Sequence, residues 1–300
     1  MIAPEVAEHT ALCRQVEPKF AARVLDAMTT LKTGINHALL LTALEHGQAE
    51  LAVEALPWPA FRQALETGVR YGILRTMAAS GQTHHARVVA GKVRKADPGF
   101  QGRFDLTNPA AVRAAAERTA WLVQGVDQRT RDAIAEVIRR GQLGQLDVPH
   151  QARLIENLVG LDSRQANALV NYEWYLRGLG KPESQIERMV QREYARRLRY
   201  RATTIARTES ARAAIIGQNE AWRQAADNGY LDRATTERVW VAALNPCPIC
   251  ADLNGQHVGL DEPFGPDING NTYDGPPGPH PNCLCALSLS FRAQPARQAA

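Results

Sequence analysis

The sequence predicts an α+β protein, with a mainly helical N-terminal and central portion followed by a small, zinc-clipped, mixed C-terminal domain. Three observations carry this. Apolar residues recur at helical spacing through most of the chain up to about Ala226. After Asn228-Gly229 the pattern changes to short alternating runs, Arg238-Val-Trp-Val-Ala-Ala243 and Cys285-Ala-Leu-Ser-Leu-Ser-Phe291, which read as strands. Finally, four of the five cysteines are gathered in Cys247-Pro-Ile-Cys250 and His280-Pro-Asn-Cys283-Leu-Cys285.

A chain of 300 residues has room for two compact domains, and 45% apolar content is ordinary for a globular protein. The net charge of +4 permits contact with nucleic acid without requiring it. No segment approaches the ~20 apolar residues that cross a bilayer, so no membrane contact is expected. The N-terminus shows no basic and apolar secretory pattern. A cytosolic site of synthesis keeps thiols reduced, so a cysteine cluster there is expected to hold metal rather than disulfides. Cys13 stands apart and reads as a small buried apolar residue.

The N-terminal helical portion, 1–82, places Phe20, Val24, Met28 and Leu31 on one face, with Ile35 and Leu39 as a possible continuation. Pro57-Trp-Pro59 interrupts it, and Phe61, Leu65, Val69, Ile73 and Met77 form the next stripe. Residues 83–108 are expected to be a linker, polar and Gly-rich, with His84-His85 exposed on a loop beside Lys92, Arg94 and Lys95. The central helical region, 109–198, opens at Asn108-Pro109, a cap followed by a proline at the first helical position. Val112, Ala116, Thr119 and Val123 are predicted to share a face. Asp127 is predicted to cap a second helix, packed through Ile134, Val137 and Ile138 and ended by Gly141. Helices over 147–159 and 162–179 follow, with Tyr172, Trp174 and Tyr175 expected to anchor packing.

From Pro182 to about Ala226 the pattern is one long helix, or two joined near Tyr200. Its first half carries Arg188, Arg192, Arg196, Arg197, Arg199 and Arg201. Glu183, Glu187 and Glu193 are expected to offset them as a solvated, salt-bridged face. Farther on, Leu198, Ala202, Ile205 and Ile216 define an apolar face into which Glu209 and Arg212 also point. A carboxylate among core positions must be paired, so Arg201, Glu209 and Arg212 are assigned to a structural ion pair. No nucleophile or phosphate-cradling loop accompanies them.

Thiolates in a C-x-x-C, answered by a second Cys/His cluster, are the donor set of tetrahedral zinc. The intervening loop is rich in Gly, Pro, Asn and Asp. With little to bury, it is expected to depend on a metal clip for its shape. Cys247, Cys250, His280, Cys283 and Cys285 compete for four places. If Cys283 and Cys285 lie within the last strand, one of them is expected to be spare, with His280 completing the set; if they lie in the turn before it, both could bind, and the sequence leaves the choice open. A ββα-metal nuclease would need a His and Asn/His pair beyond Cys285, and none follows.

The order Arg201, Ile205-Ala-Arg207-Thr208-Glu209, Trp240, Cys247-x-x-Cys250, Leu253-x-Gly255, Leu260-Asp-Glu-Pro-Phe264 and His280-Pro-x-Cys283-x-Cys285 resembles the phage Mu F-like head morphogenesis family. These are minor capsid proteins of tailed phages and prophages. The resemblance spans 199–291, here taken as the conserved domain, ahead of a disordered tail at 292–300. Leu284 departs from the arginine usual between the last two cysteines. The resemblance implies a virion protein inside the head, assembled in the host cytoplasm. Its implied partners are the portal and other head or scaffold proteins, and its implied roles are procapsid assembly and DNA packaging or delivery. It implies zinc as a structural cofactor only, and no catalytic residues. The fold of such domains has been likened to ADP-ribosyltransferases. That leaves as alternatives a metal-dependent nuclease or transferase-like enzyme, and a DNA-binding module contacting packaged DNA through the arginine-rich helix.

Overall fold

A computed structural model describes residues 2–92, 104–142, 147–276 and 280–292. Among them are helices α1 (Pro4–Thr33), α2 (His37–Glu45), α3 (Ala49–Glu54), α4 (Trp58–Lys92), α5 (Pro109–Gln142), α6 (Val148–Leu158), α7 (Ser163–Gly178), α8 (Glu183–Asp227) and the short α9 (Pro248–Asp252). Strands β1 (Thr236–Val241), β2 (His257–Gly259) and β3 (Ala286–Phe291) form an antiparallel sheet in the order β2-β1-β3. The α+β class is as predicted.

The chain divides into two compact units, and the divisions fall inside α1, α4, α5 and α8. One unit comprises Lys19–Arg70 and Arg118–Thr203. Its core contains the predicted stripe Phe20, Val24, Met28 and Leu31, joined by Trp58, Phe61, Leu65 and Val69, all essentially buried. Trp58 is fixed at both ends: its Nε1–H donates to the Val53 carbonyl at 2.7 Å, and the Arg131 guanidinium lies 3.9 Å over its ring. Asp147 and Asp162 cap α6 and α7 at the predicted helix starts, accepting from the His150 and Gln165 amides.

The other unit comprises Met1–Pro18, Tyr71–Glu117 and Thr204–Ala300. A buried cluster in it joins Ile215, Trp222 and Ala225 of α8 to Trp240, Val258, Leu260, Phe264 and Leu287. Close backbone approach sets this packing. A Cβ on Gly217 would meet the Met77 carbonyl oxygen at 2.4 Å, so glycine lets α8 lie directly on α4.

Several expectations are corrected. The polar stretch after Ser80 is not a loop, because α4 runs on to Lys92. His85 is buried and His84 half-buried, stacked edge-on against Trp222 at 5.7 Å. The stripe was hidden because its inward positions turn polar while keeping partners: Ser80 Oγ donates to the Ala214 carbonyl at 2.6 Å. Arg94 and Lys95 fall outside the described residues, as does the tail beyond Arg292. In α5 the buried stripe is Ala111, Ala115, Thr119, Leu122 and Val126, so Thr119 is buried as predicted, whereas Val112 is 47% exposed. In its first turns the stripe runs one residue out of phase with the predicted face, Ala111 and Ala115 taking the inward positions expected of Val112 and Ala116. Asp127 caps nothing. It sits within the single helix α5 and pairs with Arg62 at 2.9 Å and Arg131 at 3.2 Å. Trp174 and Tyr175 are exposed, and α7 packs through Leu169, Val170 and Leu176.

Candidate metal centre

Arg238 in the middle of β1 organises the region around the cysteines. It is fully buried and donates to the carbonyls of Gly259 at 3.3 Å and Asp274 at 2.8 Å, and to that of Glu262. Burial pushes its pKa down to about 10, with the nearby Arg223 adding to the effect. Beside it, Trp240 packs edge-on to Phe264 at 5.4 Å and Tyr273 at 6.3 Å. The loop between the two Cys/His clusters therefore has more internal order than its composition suggested. Asp267 Oδ1 accepts the Asn269 and Asn271 amides at 2.8 Å each, and Tyr273 donates its hydroxyl to Asp267 Oδ2 at 2.8 Å. Those bonds hold the Asp267 carboxyl below its usual range despite the opposing cost of desolvation. Nothing in the sequence distinguishes Arg238 from a surface arginine except its place in an alternating run.

The cysteines sit at both ends of this framework. Cys247 caps α9, its Sγ accepting the Cys250 amide at 3.4 Å, and Pro248 occupies the first helical position. The chain returns at once, with the Gly255 amide donating to the Trp240 carbonyl at 2.8 Å. Across the loop, Asn282 adopts a positive φ of 62° in the turn before Cys283. Cys283 and Cys285 both precede β3, so both can turn toward Cys250. Cys250, Cys283 and Cys285 are all buried.

Two overlapping donor groups result, Cys247 with Cys250 and His280, and Cys250 with Cys283 and Cys285. Within each, the ligand atoms lie inside 4.8 Å of one another. All five predicted donors are thus brought to one place, with Cys250 common to both groups. The arrangement fits a metal on three counts. The Cys250 and Cys283 sulfurs are 3.7 Å apart. A disulfide needs about 2.05 Å, whereas two corners of a tetrahedral thiolate site with Zn–S near 2.3 Å lie about 3.8 Å apart. The Ala243 amide donates to Cys285 Sγ at 3.3 Å, a bond suited to a thiolate. His280 Nδ1 lies 2.9 Å from the Pro281 carbonyl, while its buried Nε2 has no hydrogen-bond partner among the described residues. With Nδ1 as donor, the Nε2 lone pair is free to ligate.

Electrostatics agree. Hydrogen bonds from Cys250 and Cys283 hold the Cys285 thiol well below its ordinary pKa, and bonding to Cys283 and Cys285 drives the Cys250 thiol up. Crowded thiols of this kind cannot all ionise together without a cation among them.

The arginine and glutamate positions separate. Arg201 is buried and donates to the Gly160 carbonyl and to Thr130 Oγ1 at 3.5 Å. Glu209 is buried about 12 Å farther along the same helix, and Arg212 is half-buried one turn beyond it. Arg207 pairs with Glu17 of α1 at 2.9 Å. Thr208 takes a role that its sequence context did not suggest: its Oγ1 accepts the Asn282 amide at 3.0 Å and ties α8 to the Cys283 turn.

Residues 177–288 match the family model described as Phage Mu protein F like protein. Over that segment the chain is similar to the phage Mu F-like family. The matched segment runs from the end of α7 into β3 and includes all five donors, Arg201 and the Thr208 contact. No curated protein and no solved structure matches the chain. Among the described residues, no helix is long and apolar enough to cross a membrane.

Proposed function

We propose that the protein is a minor capsid protein of a tailed phage or prophage head, acting in procapsid assembly and in DNA packaging or delivery together with the portal. The observation that carries the proposal is the family match over 177–288, which takes in the whole cysteine–histidine cluster and the α8 segment bonded to it. A role inside the head, and assembly in the host cytoplasm beside scaffold proteins, follow from the same reading.

Zinc is the metal best suited to this donor set, and its role would be structural. Cys250, Cys283 and Cys285 would supply three ligands, with the fourth from Cys247 or His280. A site with protein donors to spare leaves no position for a substrate, which favours a clip over a catalyst. Glu209 and Arg212 would form a structural ion pair rather than an acid–base couple. The experiment is to disrupt the gene in an inducible prophage and complement it with a tagged copy. The tagged protein should be a low-copy component of purified heads, and disruption should lower the yield of DNA-filled heads. Normal yields of filled heads without the protein would overturn the proposal. A metal-dependent nuclease activity on plasmid DNA, lost in Cys250→Ser, would favour the enzymatic alternative.

A further inference from the structure

The arginines of α8 are offset only in part by the acids at helical spacing. Glu183 pairs with Arg177 of α7 at 2.7 Å, and Glu193 holds Arg196 and Arg197 at 2.6 and 2.8 Å. Arg188, Arg192 and Arg199 are exposed and make no salt bridge among the described residues; Arg199 Nε donates only to the Ala195 carbonyl of its own helix at 3.3 Å. At about 100° per residue, these three and Arg196 fall within an arc of roughly 80° on the solvent side of α8. No carboxylate shares that arc: Glu187 lies about 100° to one side, and Glu193 roughly 60° beyond Arg196 on the other. The buried side of the same stretch is made by Ile186, Val190, Tyr194 and Leu198.

We infer that this face of α8 is a docking surface for the phosphate backbone of duplex DNA. Arg188 and Arg199 are about 16 Å apart along the helix axis. A duplex presents one phosphate per 3.4 Å of each strand, so about five phosphates of one strand lie within that span. The match is to a regular line of negative charge. The arc presents no acidic side chain, and Ala195 and the half-buried Met189 flank it about 20° to either side, which suits non-specific backbone contact better than base readout. The surface chemistry is independent of the proposed head function; only the choice of DNA among polyanions rests on that reading.

The test is fluorescence anisotropy of a labelled 30-base-pair duplex titrated with the full chain between 50 and 200 mM salt, compared with the triple variant Arg188→Gln, Arg192→Gln, Arg199→Gln. The wild type should lose affinity with salt, and the variant's log–log slope should be shallower by about 2.7, three phosphate contacts' worth. That difference alone corresponds to roughly a 40-fold smaller loss over this salt range. Circular dichroism should show unchanged helix content, because exposed Arg→Gln changes barely affect helix propensity. Equal binding and slope for a folded variant would overturn the inference. So would binding of poly-glutamate as tightly as duplex DNA, since the surface would then serve an acidic protein. Loss of DNA binding in the variant with normal head yield would leave this inference standing and count only against a packaging role.

Discussion

Thr208 and Asn282 are joined by one hydrogen bond, the Asn282 amide donating to Thr208 Oγ1 at 3.0 Å. The hydroxyl in turn donates to the Thr204 carbonyl at 2.8 Å, so it is fixed on α8 and cannot follow the loop if the loop moves. A threonine on α8 thus positions the turn that delivers Cys283 and His280.

Thr208→Val keeps the shape of the side chain and leaves the Asn282 amide without its acceptor. The expected cost is about 1 kcal/mol, seen as a lower urea midpoint with an unchanged slope. Metal should also pass more readily to a competing chelator. An unchanged rate of metal transfer would show that the bond does not support the cluster.

Arg238→Met removes the donor shared by the Gly259, Glu262 and Asp274 carbonyls. Stranding several buried acceptors should cost on the order of 3 kcal/mol or more. Proteolysis should then open the loop between β2 and β3 first. A loop as protease-resistant as in the wild type would mean that Asp267 and the cysteines hold it unaided.

Gly217→Ala places a methyl group against the Met77 carbonyl, where neither backbone can yield cheaply. A loss of roughly 1–3 kcal/mol is expected, measured by thermal unfolding. Gly178→Ala serves as a control, because a Cβ there meets nothing within 4 Å. Equal stability of the two variants would contradict the close packing of α8 on α4.

His9 and His84 line a small cavity of about 40 Å³ with Glu5, Glu8 and Arg87. Burial pushes both imidazoles down to about 4. Their folded pKa lies below the unfolded value, so the unfolded chain takes up protons that the folded chain refuses. Their contribution is complete above pH 6.5 and is lost as the pH falls from there to about 4. The magnitude is on the order of 3 kcal/mol per histidine. Urea midpoints at pH 7, 5.5 and 4.5 should fall less steeply in the His9→Asn/His84→Gln variant than in the wild type. Thiol protonation affects both proteins alike, so parallel curves would refute the assignment.

Where a local rule and the tertiary environment agreed, the sequence was readable. The Asp147 and Asp162 caps, the Phe20–Leu31 stripe and the gathering of the five donors all follow from spacing and residue type. It misled where inward positions are polar or small. The α4 face continues through Ser80 and His84, whose partners lie more than a hundred residues away in sequence. The first turns of the α5 face are made by Ala111 and Ala115, and Asp127 resembles a cap although it pairs within the helix with Arg131 and, far away in sequence, with Arg62. Arg238 and Thr208 escaped for the same reason: each acts through backbone groups of a distant loop, and a backbone leaves no trace in residue type.

Metal content of the purified full-length chain, measured by elemental analysis alongside thiol titration, tests the clip most directly. About one zinc per chain is expected, as a single tetrahedral site requires, with the site thiols shielded until a chelator is added. A metal-free protein whose Cys250 and Cys283 are joined in a disulfide would contradict it.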